Sequence, residues 1–444
     1  MKIPPAVLLI LSFAIVIVIG AVLLSMPFSV NGERISFLDA LFTATSATCV
    51  TGLIVIDTGT RFTLFGQIVI LTLIQIGGLG IITFSTFFAI MMGRKVTLSQ
   101  RDIILTSVGQ TNRIDTHTIV RRIIVYAASI EMIGAFFLFL AWKNRFGAGK
   151  SLYYSIFHSI SAFCNAGFST FTDNLISFRG DILTNVMVMG LIVLGGIGFL
   201  VIIDIENFIR FRRPISLHTR LVLYATIILI IASASLFFFF ENSNSLKGMP
   251  YKEKMLVSLF QSVTPRTAGF NTVDIGMLSN STLFMIIALM FIGGSPGGTA
   301  GGIKTTTASV LFMLAKSRLM GRIYTEMRSR TIPERVIGGA VAVFVLGVVI
   351  LSVASFLLQA TELGYTPHRE SPESFFDLNF EAVSAFGTVG LSTGVTSSLT
   401  WGGKIIIILL MFIGRLGPLT IAFVVSRRKD VRTFKYAEEG IIIG

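Results

Sequence analysis

Apolar segments of two lengths alternate along this 444-residue chain, and that alternation limits what it can fold into. Eight segments, at approximately 5–26, 66–92, 121–142, 181–206, 221–241, 281–313, 335–360 and 403–426, are near the 20 residues needed to cross a hydrocarbon core about 30 Å thick. Four shorter apolar stretches lie between alternate pairs, near 38–48, 151–163, 253–264 and 373–386. These are too short to span and suit a re-entrant or half-membrane helix. The order span, half-helix, span therefore occurs four times.

Composition agrees with a membrane chain. Hydrophobic residues make up 53% of it and charged residues only 13%, with a mean hydropathy of +0.82; a soluble protein this long needs far more polar surface. The net charge of +13 invites a nucleic-acid reading, but the charges fall between and after the spans, the pattern that sets topology. The segments joining one unit to the next, plus the tail, hold 21 Lys and Arg, against 12 in the loops around the half-helices. The inter-unit side and both termini are thus expected in the cytoplasm, with every half-helix entering from outside. The expected fold is an all-α integral membrane protein, its four parallel units surrounding one axis. They run 1–93, 121–207, 221–314 and 335–426, followed by a cytoplasmic tail, 427–444.

The half-helices repeat in sequence as well as in length. From a shared Phe they read FTATSATCVTG (Phe42), FHSISAFCNAG (Phe157), FQSVTPRTAG (Phe260, one residue shorter) and FEAVSAFGTVG (Phe380). A hydroxyl follows four residues on, at Ser46, Ser161, Thr264 and Ser384, and each run closes on a glycine: Gly52, Gly167, Gly269 and Gly390. A second glycine landmark lies 24 to 28 residues later, at Gly77-Gly78-Leu79-Gly80, Gly195-Gly196-Ile197-Gly198, Gly293-Gly294-Ser295-Pro296 and Gly414-Arg415-Leu416-Gly417. Two landmarks held in near-constant register four times mark internal duplication.

A cation crossing lipid must exchange its hydration shell for other oxygens, and rings of backbone carbonyls do this for K⁺. Aiming carbonyls at an axis needs dihedrals that favour glycine. One such glycine reads equally well as a helix C-cap; four at equivalent places point to an ion filter, with Val50, Thr51, Gly52, Ala166, Gly167, Ala268, Gly269, Val389 and Gly390 as its candidate residues. Residues 293–302 hold six glycines and Pro296, so a straight helix is not expected there. Irregular backbone at membrane depth survives where it packs in protein or lines a wet cavity. Arg415 interrupts the fourth landmark mid-span, where a charge defaults to a functional role: holding the carbonyls of 293–302 and repelling cations. Lys304 is expected either to support that loop or to sit at the inner mouth. Glu131, Asp204 and Glu206 read as pairing or interface residues. Asp57 and Asp274 follow filter segments, as solvated loop acids or as cation-gathering groups. Cys49 and Cys164, each three residues before its glycine, read as small packing residues.

These motifs, above all VTPRTAGFNT (263–272) and GGSPGGTAGGIKTTT (293–307), resemble the Trk/Ktr/HKT superfamily of K⁺ transporters over essentially the whole chain, and most of all the membrane subunits of bacterial Ktr systems. The resemblance implies K⁺-channel-like M1-P-M2 repeats, with eight spans and four pore helices around one pore. It implies K⁺ selectivity too, since members with Gly at the position of Gly52 select K⁺ while plant members with Ser there admit Na⁺. It makes the loop a gate, built from Gly293, Gly294, Ser295, Gly297, Gly298, Thr299, Gly301, Gly302, Lys304 and Arg415. It also implies a homodimer in a bacterial cytoplasmic membrane, seated on a cytoplasmic RCK-type ring of nucleotide-binding regulatory subunits, with Na⁺ as a possible second ion.

Two other classes fit less well. A coupled solute transporter typically shows inverted repeats and paired broken helices, whereas these repeats are parallel and fourfold. An intramembrane enzyme needs a catalytic dyad or metal cluster, and neither HExxH nor GxSxG occurs. The four histidines, His117, His158, His218 and His368, are scattered. No nucleic-acid partner and no covalent cofactor are expected.

Overall fold

A computed structural model of the chain describes residues 5–80, 116–327, 330–371 and 374–417. The expected span ends 81–92 and 418–426 and the tail 427–444 lie outside the described residues. The first unit comprises α1 (Pro5–Ser25), α2 (Phe37–Thr48) and α3 (Leu64–Leu79). The second comprises α4 (Thr116–Phe146), α5 (Ala148–Phe163), α6 (Ile182–Gly196) and α7 (Phe199–Phe211). α8 (Leu217–Glu241), α9 (Tyr251–Val263), α10 (Asn280–Phe291) and α11 (Thr305–Leu319) form the third. α12 (Glu334–Glu362), α13 (Ser374–Gly387) and α14 (Trp401–Leu416) form the fourth. Between α11 and α12 a short hairpin pairs β1 (Glu326–Met327) with β2 (Arg330–Thr331).

Local chemistry sets the starts of these helices. α3, α6, α10 and α14 each begin behind a side-chain N-cap, supplied by Thr63, Asp181, Ser279 and Thr400, which satisfies a backbone N–H that no helical carbonyl can reach. Two glutamates fix the unit corners. Glu241 at the end of α8 accepts from Ser279 N and Oγ, Thr282 Oγ1 and Asn244 Nδ2. Glu362 at the end of α12 accepts from Thr400 N and Oγ1.

The helices close into a ring. Each of α3, α6, α10 and α14 packs against the short helix of the following unit: α3 on α5, α6 on α9, α10 on α13, and α14 back on α2. Lys404 of α14 meets Asp39 of α2 at 2.7 Å across that closing seam. The repeated Phe42, Phe157, Phe260 and Phe380 are fully buried in the core, while Ile228, Ile231 and Phe239 of α8 and Val349, Val353 and Phe356 of α12 stand on the outer surface.

The reading of 181–206 as one continuous span does not hold. α6 and α7 meet at Gly198 with a bend of 98°, and Gly198 takes φ +92°. Nor is the break confined to the third unit. α3 stops at Gly80 (φ +81°) and α14 at Gly417 (φ +86°), with near-identical dihedrals at all three glycines. The glycine that closes the first, second and fourth landmarks caps a helix with a positive φ that residues with a Cβ disfavour. Among the described residues, only 120–146, 217–241 and 334–362 are therefore long and apolar enough to cross a membrane as single helices, with the α6–α7 pair a fourth if counted as one.

Candidate functional site

The four glycines that end the half-helix motifs lie edge to edge. A methyl group built on Gly52 would sit 2.5 Å from the carbonyl oxygen of Ala166; on Gly167, 2.9 Å from that of Ala268; on Gly269, 2.6 Å from that of Val389. On Gly390 it would collide with the carbonyl oxygen of Thr51. Unit one therefore meets two, two meets three, three meets four, and four meets one. Carbonyls and glycine Cα atoms alternate around a closed loop with no room for a Cβ.

Two further regularities hold that loop. Val50, Asn165, Thr267 and Thr388, each two residues before its glycine, all have positive φ, between +51° and +70°. Left-handed backbone at β-branched residues is strained and persists only where its surroundings enforce it. Alternation with the left-handed glycine two residues on turns successive carbonyls toward one side. Of these four only Val50 is among the expected filter residues; Asn165 is of a type that tolerates this conformation, whereas Val and Thr are not. Their common offset from the glycine is the signal that could have found them.

The hydroxyls on the half-helices clamp the same segment. Gly52 N donates to Ser46 Oγ at 3.0 Å and Gly390 N to Ser384 Oγ at 3.1 Å. In the other two units the hydroxyl reverses its role: Ser161 Oγ donates to Phe168 O at 2.7 Å, and Thr264 Oγ1 to Phe270 O. One residue along from Phe157, Phe260 and Phe380, a second polar group braces the chain beyond the glycine, whereas Thr43 after Phe42 donates back to Asp39 O. His158 Nε2 lies 2.9 Å from Ser169 Oγ, Gln261 Nε2 donates to Thr272 Oγ1, and Glu381 accepts from Ser392 and Thr396. The second landmark completes the packing. Gly77, Gly195 and Gly414 press so closely on the carbonyls of Thr48, Phe163 and Phe386 that no Cβ fits. This explains the steady spacing between landmarks.

The C-termini of the half-helices converge on the ring, adding partial negative charge where a cation would sit. On the mouth side, Gly52, Gly167, Gly269 and Gly390 floor a cavity of about 380 Å³. Asp57 and Asp274 line it, as does Asp173, which the sequence reading passed over although it follows Gly167 at nearly the same offset. All three also cap short turns, accepting from Thr60, Ser177 and Gly276 N. The fourth unit has Val395 at that offset, so the rim carries charge on three sides.

The segment 292–304 is a folded-back loop between α10 and α11, closed by Gly293 N donating to Ile303 O at 2.8 Å. It docks on the break in the second unit: Ser295 N donates to Gly196 O, Thr299 N to Gly195 O, and Phe199 N to Gly297 O. Thr299 Oγ1 donates to Phe163 O at the end of α5, and Ser295 and Thr305 share a buried hydroxyl pair. Gly301 packs on Thr388, one residue before the ring carbonyl of Val389. Lys304 Nζ turns back to donate to Ala300 O at 2.7 Å. Arg415 reaches in from α14 and donates to Thr299 O and to Gly77 O. Among the described residues neither cation forms an ion pair.

The remaining singled-out residues fall outside this constellation. Glu131 is buried against Gln75 Nε2 at 3.1 Å. Asp204 accepts from Ser216, and Glu206 from Tyr126 and Arg210. Cys49 and Cys164 are buried free thiols at the ends of α2 and α5.

Comparison with known proteins gives the family and the fold. The family described as TrkH, cation transport protein, matches residues 6–431. The chain is 42% identical to the Ktr system potassium uptake protein B of Bacillus subtilis (strain 168), over 99% of this chain and 97% of that one. It is 37% identical to the potassium/sodium uptake protein NtpJ of Enterococcus hirae, over 100% and 98% respectively. The crystal structure of the potassium transporter TrkH from Vibrio parahaemolyticus superposes with a TM-score of 0.71 over 95% of this chain and 84% of that one; at 20% identity the likeness is one of fold. This is a helical, multi-pass membrane transport protein and not an enzyme, and the chain belongs to the TrkH family of cation transport proteins.

Proposed function

We propose that this chain takes K⁺ up across a bacterial cytoplasmic membrane through a single pore formed by its four M1-P-M2 repeats. The observation that carries the reading is the closed ring in which the carbonyls of Thr51, Ala166, Ala268 and Val389 alternate with Gly52, Gly167, Gly269 and Gly390. K⁺ is the transported ion and is held by backbone oxygen alone; carbonyl dipoles suit a large monovalent cation and spare it a strongly binding carboxylate ring. The acids at Asp57, Asp173 and Asp274 stand outside the ring, where they gather cations without trapping them. The names of the relatives point to the same ion.

In this reading the loop 293–307 is the gate. Its docking on Gly195, Gly196 and Phe199, and the grip of Arg415 on Thr299, support a closed arrangement in which the loop and the cations of Lys304 and Arg415 oppose passage. Control comes from the inter-repeat side, which the charge distribution makes cytoplasmic. There an RCK-type nucleotide-binding ring carries a homodimer of this chain, with one pore in each subunit. Na⁺ acts as a co-ion or an activator, as the potassium/sodium name of one relative suggests.

The test is K⁺-limited growth of an uptake-deficient bacterium expressing this chain with its regulatory partner, with and without Na⁺. Wild type restores growth at low K⁺, and Gly52→Ser weakens discrimination against Na⁺. Failure of the wild type to restore growth overturns K⁺ uptake. Full uptake by a protein that runs as a monomer in mild detergent overturns the dimer.

A further inference from the structure

Beyond the pore, α7 is unlike the other helices. It leaves α6 at 98° and so runs across the axis that α6 follows. Its first half packs on the inter-repeat end of α8, Val201 with Ile202 and Ile205 against Val222 and Leu223. Both of its acids are engaged: Asp204 accepts from Ser216 N and Oγ at the start of α8, and Glu206 from Tyr126 of α4 and from Arg210 at 2.9 Å. Its last turn is exposed and has a mixed character. Phe208, Ile209 and Phe211 are 42%, 68% and 64% exposed, interleaved with Arg210 and followed by Arg212 and Arg213. Arg220, on the first turn of α8, is exposed beside them. Among the described residues Arg212, Arg213 and Arg220 form no ion pair, and the guanidinium of Arg213 lies over the ring of Phe211.

We propose that the end of α7, with the adjoining turn of α8, binds the headgroup of an anionic phospholipid. A short helix lying along a bilayer, with aromatic and aliphatic side chains interleaved with arginines, suits the headgroup boundary. The apolar side chains enter the acyl region while the guanidiniums meet phosphate above them, often through paired hydrogen bonds. Charge complementarity selects the occupant: three arginines without an ion pair among the described residues, beside three exposed apolar side chains, fit a lipid carrying both phosphate and acyl chain. The site adjoins the gate. α7 starts at Phe199, whose N–H donates to Gly297 O of the loop at 3.0 Å. A headgroup that fixes the far end of α7 therefore bears on the helix that holds 295–299.

The test uses the full-length protein in mild detergent and native mass spectrometry, with phosphatidylglycerol or phosphatidylcholine as the probe. The wild type is expected to retain phosphatidylglycerol in preference to phosphatidylcholine. The double variant Arg212→Gln, Arg213→Gln is expected to lose that preference by roughly tenfold or more. Arg179→Gln, at the opposite end of α6 and paired with Glu253 at 3.8 Å, should keep it. Equal retention of both lipids by the wild type, or an undiminished preference in the double variant, overturns the site. So does protection of Arg212 and Arg213 by a bound regulatory protein but not by lipid. The readout is binding rather than flux, so it stands or falls separately from K⁺ transport.

Discussion

Arg415 donates to the carbonyl oxygen of Thr299, so the fourth unit grips the loop of the third, its neighbour in the ring. Its other terminal nitrogen holds Gly77 O in the first unit. One side chain thus ties three units together at the level of the proposed gate. Charge-assisted hydrogen bonds contribute about 1.5–3 kcal/mol each, and a contact made only with the loop closed biases the equilibrium by that amount.

Arg415→Ala should accordingly raise K⁺ flux in reconstituted vesicles, by roughly tenfold if only the Thr299 bond separates the two states. Arg415→Lys, which presents a single ammonium and cannot bridge both carbonyls in the same geometry, should fall between. A flux unchanged by Arg415→Ala would sink the latch.

The ring makes a sharper demand on its glycines than dihedral strain alone. Gly147 has φ +77° with nothing within 4 Å of a built Cβ, whereas Gly390 has φ +88° with the Thr51 carbonyl in that space. Gly147→Ala should cost about 1–2 kcal/mol of stability and leave uptake intact. Gly390→Ala should abolish uptake or its selectivity, because the Cβ displaces a carbonyl meant for the ion. Growth on limiting K⁺ separates the two, and equal loss in both variants would reduce the ring to ordinary turn strain.

Much of this was legible because it was written four times. A single Gly after an apolar run means little, but Gly52, Gly167, Gly269 and Gly390 at one register gave the half-helices and their ends. The helix breaks were read only where Pro296 and six glycines made them obvious. Gly80, Gly198 and Gly417 carried the same message more quietly, as a lone glycine closing each landmark. The left-handed backbone at Val50, Thr267 and Thr388 was not legible, since β-branched residues argue against it and only the neighbouring segments of the ring enforce it. Nor was the docking of 295–299 on Gly195 and Gly196, a contact between units some hundred residues apart that leaves no local trace.

The two hydroxyl arrangements behind the glycine ring predict unequal effects. Ser46→Ala strands the buried N–H of Gly52, which then lacks its acceptor; an unsatisfied buried donor costs about 1–3 kcal/mol. Ser161→Ala removes a donor to Phe168 O, and a carbonyl tolerates under-satisfaction better than an N–H does. Ser46→Ala and Ser384→Ala should therefore impair K⁺ over Na⁺ discrimination more than Ser161→Ala, measured as the ratio of their uptake rates. The reverse order would contradict the clamp.

Glu241 supports the third unit without touching the pore. It gathers Ser279 N and Oγ, Thr282 Oγ1, Asn244 Nδ2 and Ser245 N, and is fully buried. The first turn of α10 and the turn after α8 both depend on it, and α10 carries one end of the loop. Removing one acceptor from several buried donors strands them together, so Glu241→Ala should cost about 3 kcal/mol or more. Glu241→Gln keeps one carbonyl acceptor and should lose about half as much. Glu362 holds the equivalent corner in the fourth unit through Thr400, but at an exposed site where water replaces lost partners. Glu362→Ala should therefore destabilise the protein clearly less than Glu241→Ala. Thermal unfolding in detergent reads all three, and equal losses at the two corners would mean that burial is not what makes Glu241 matter.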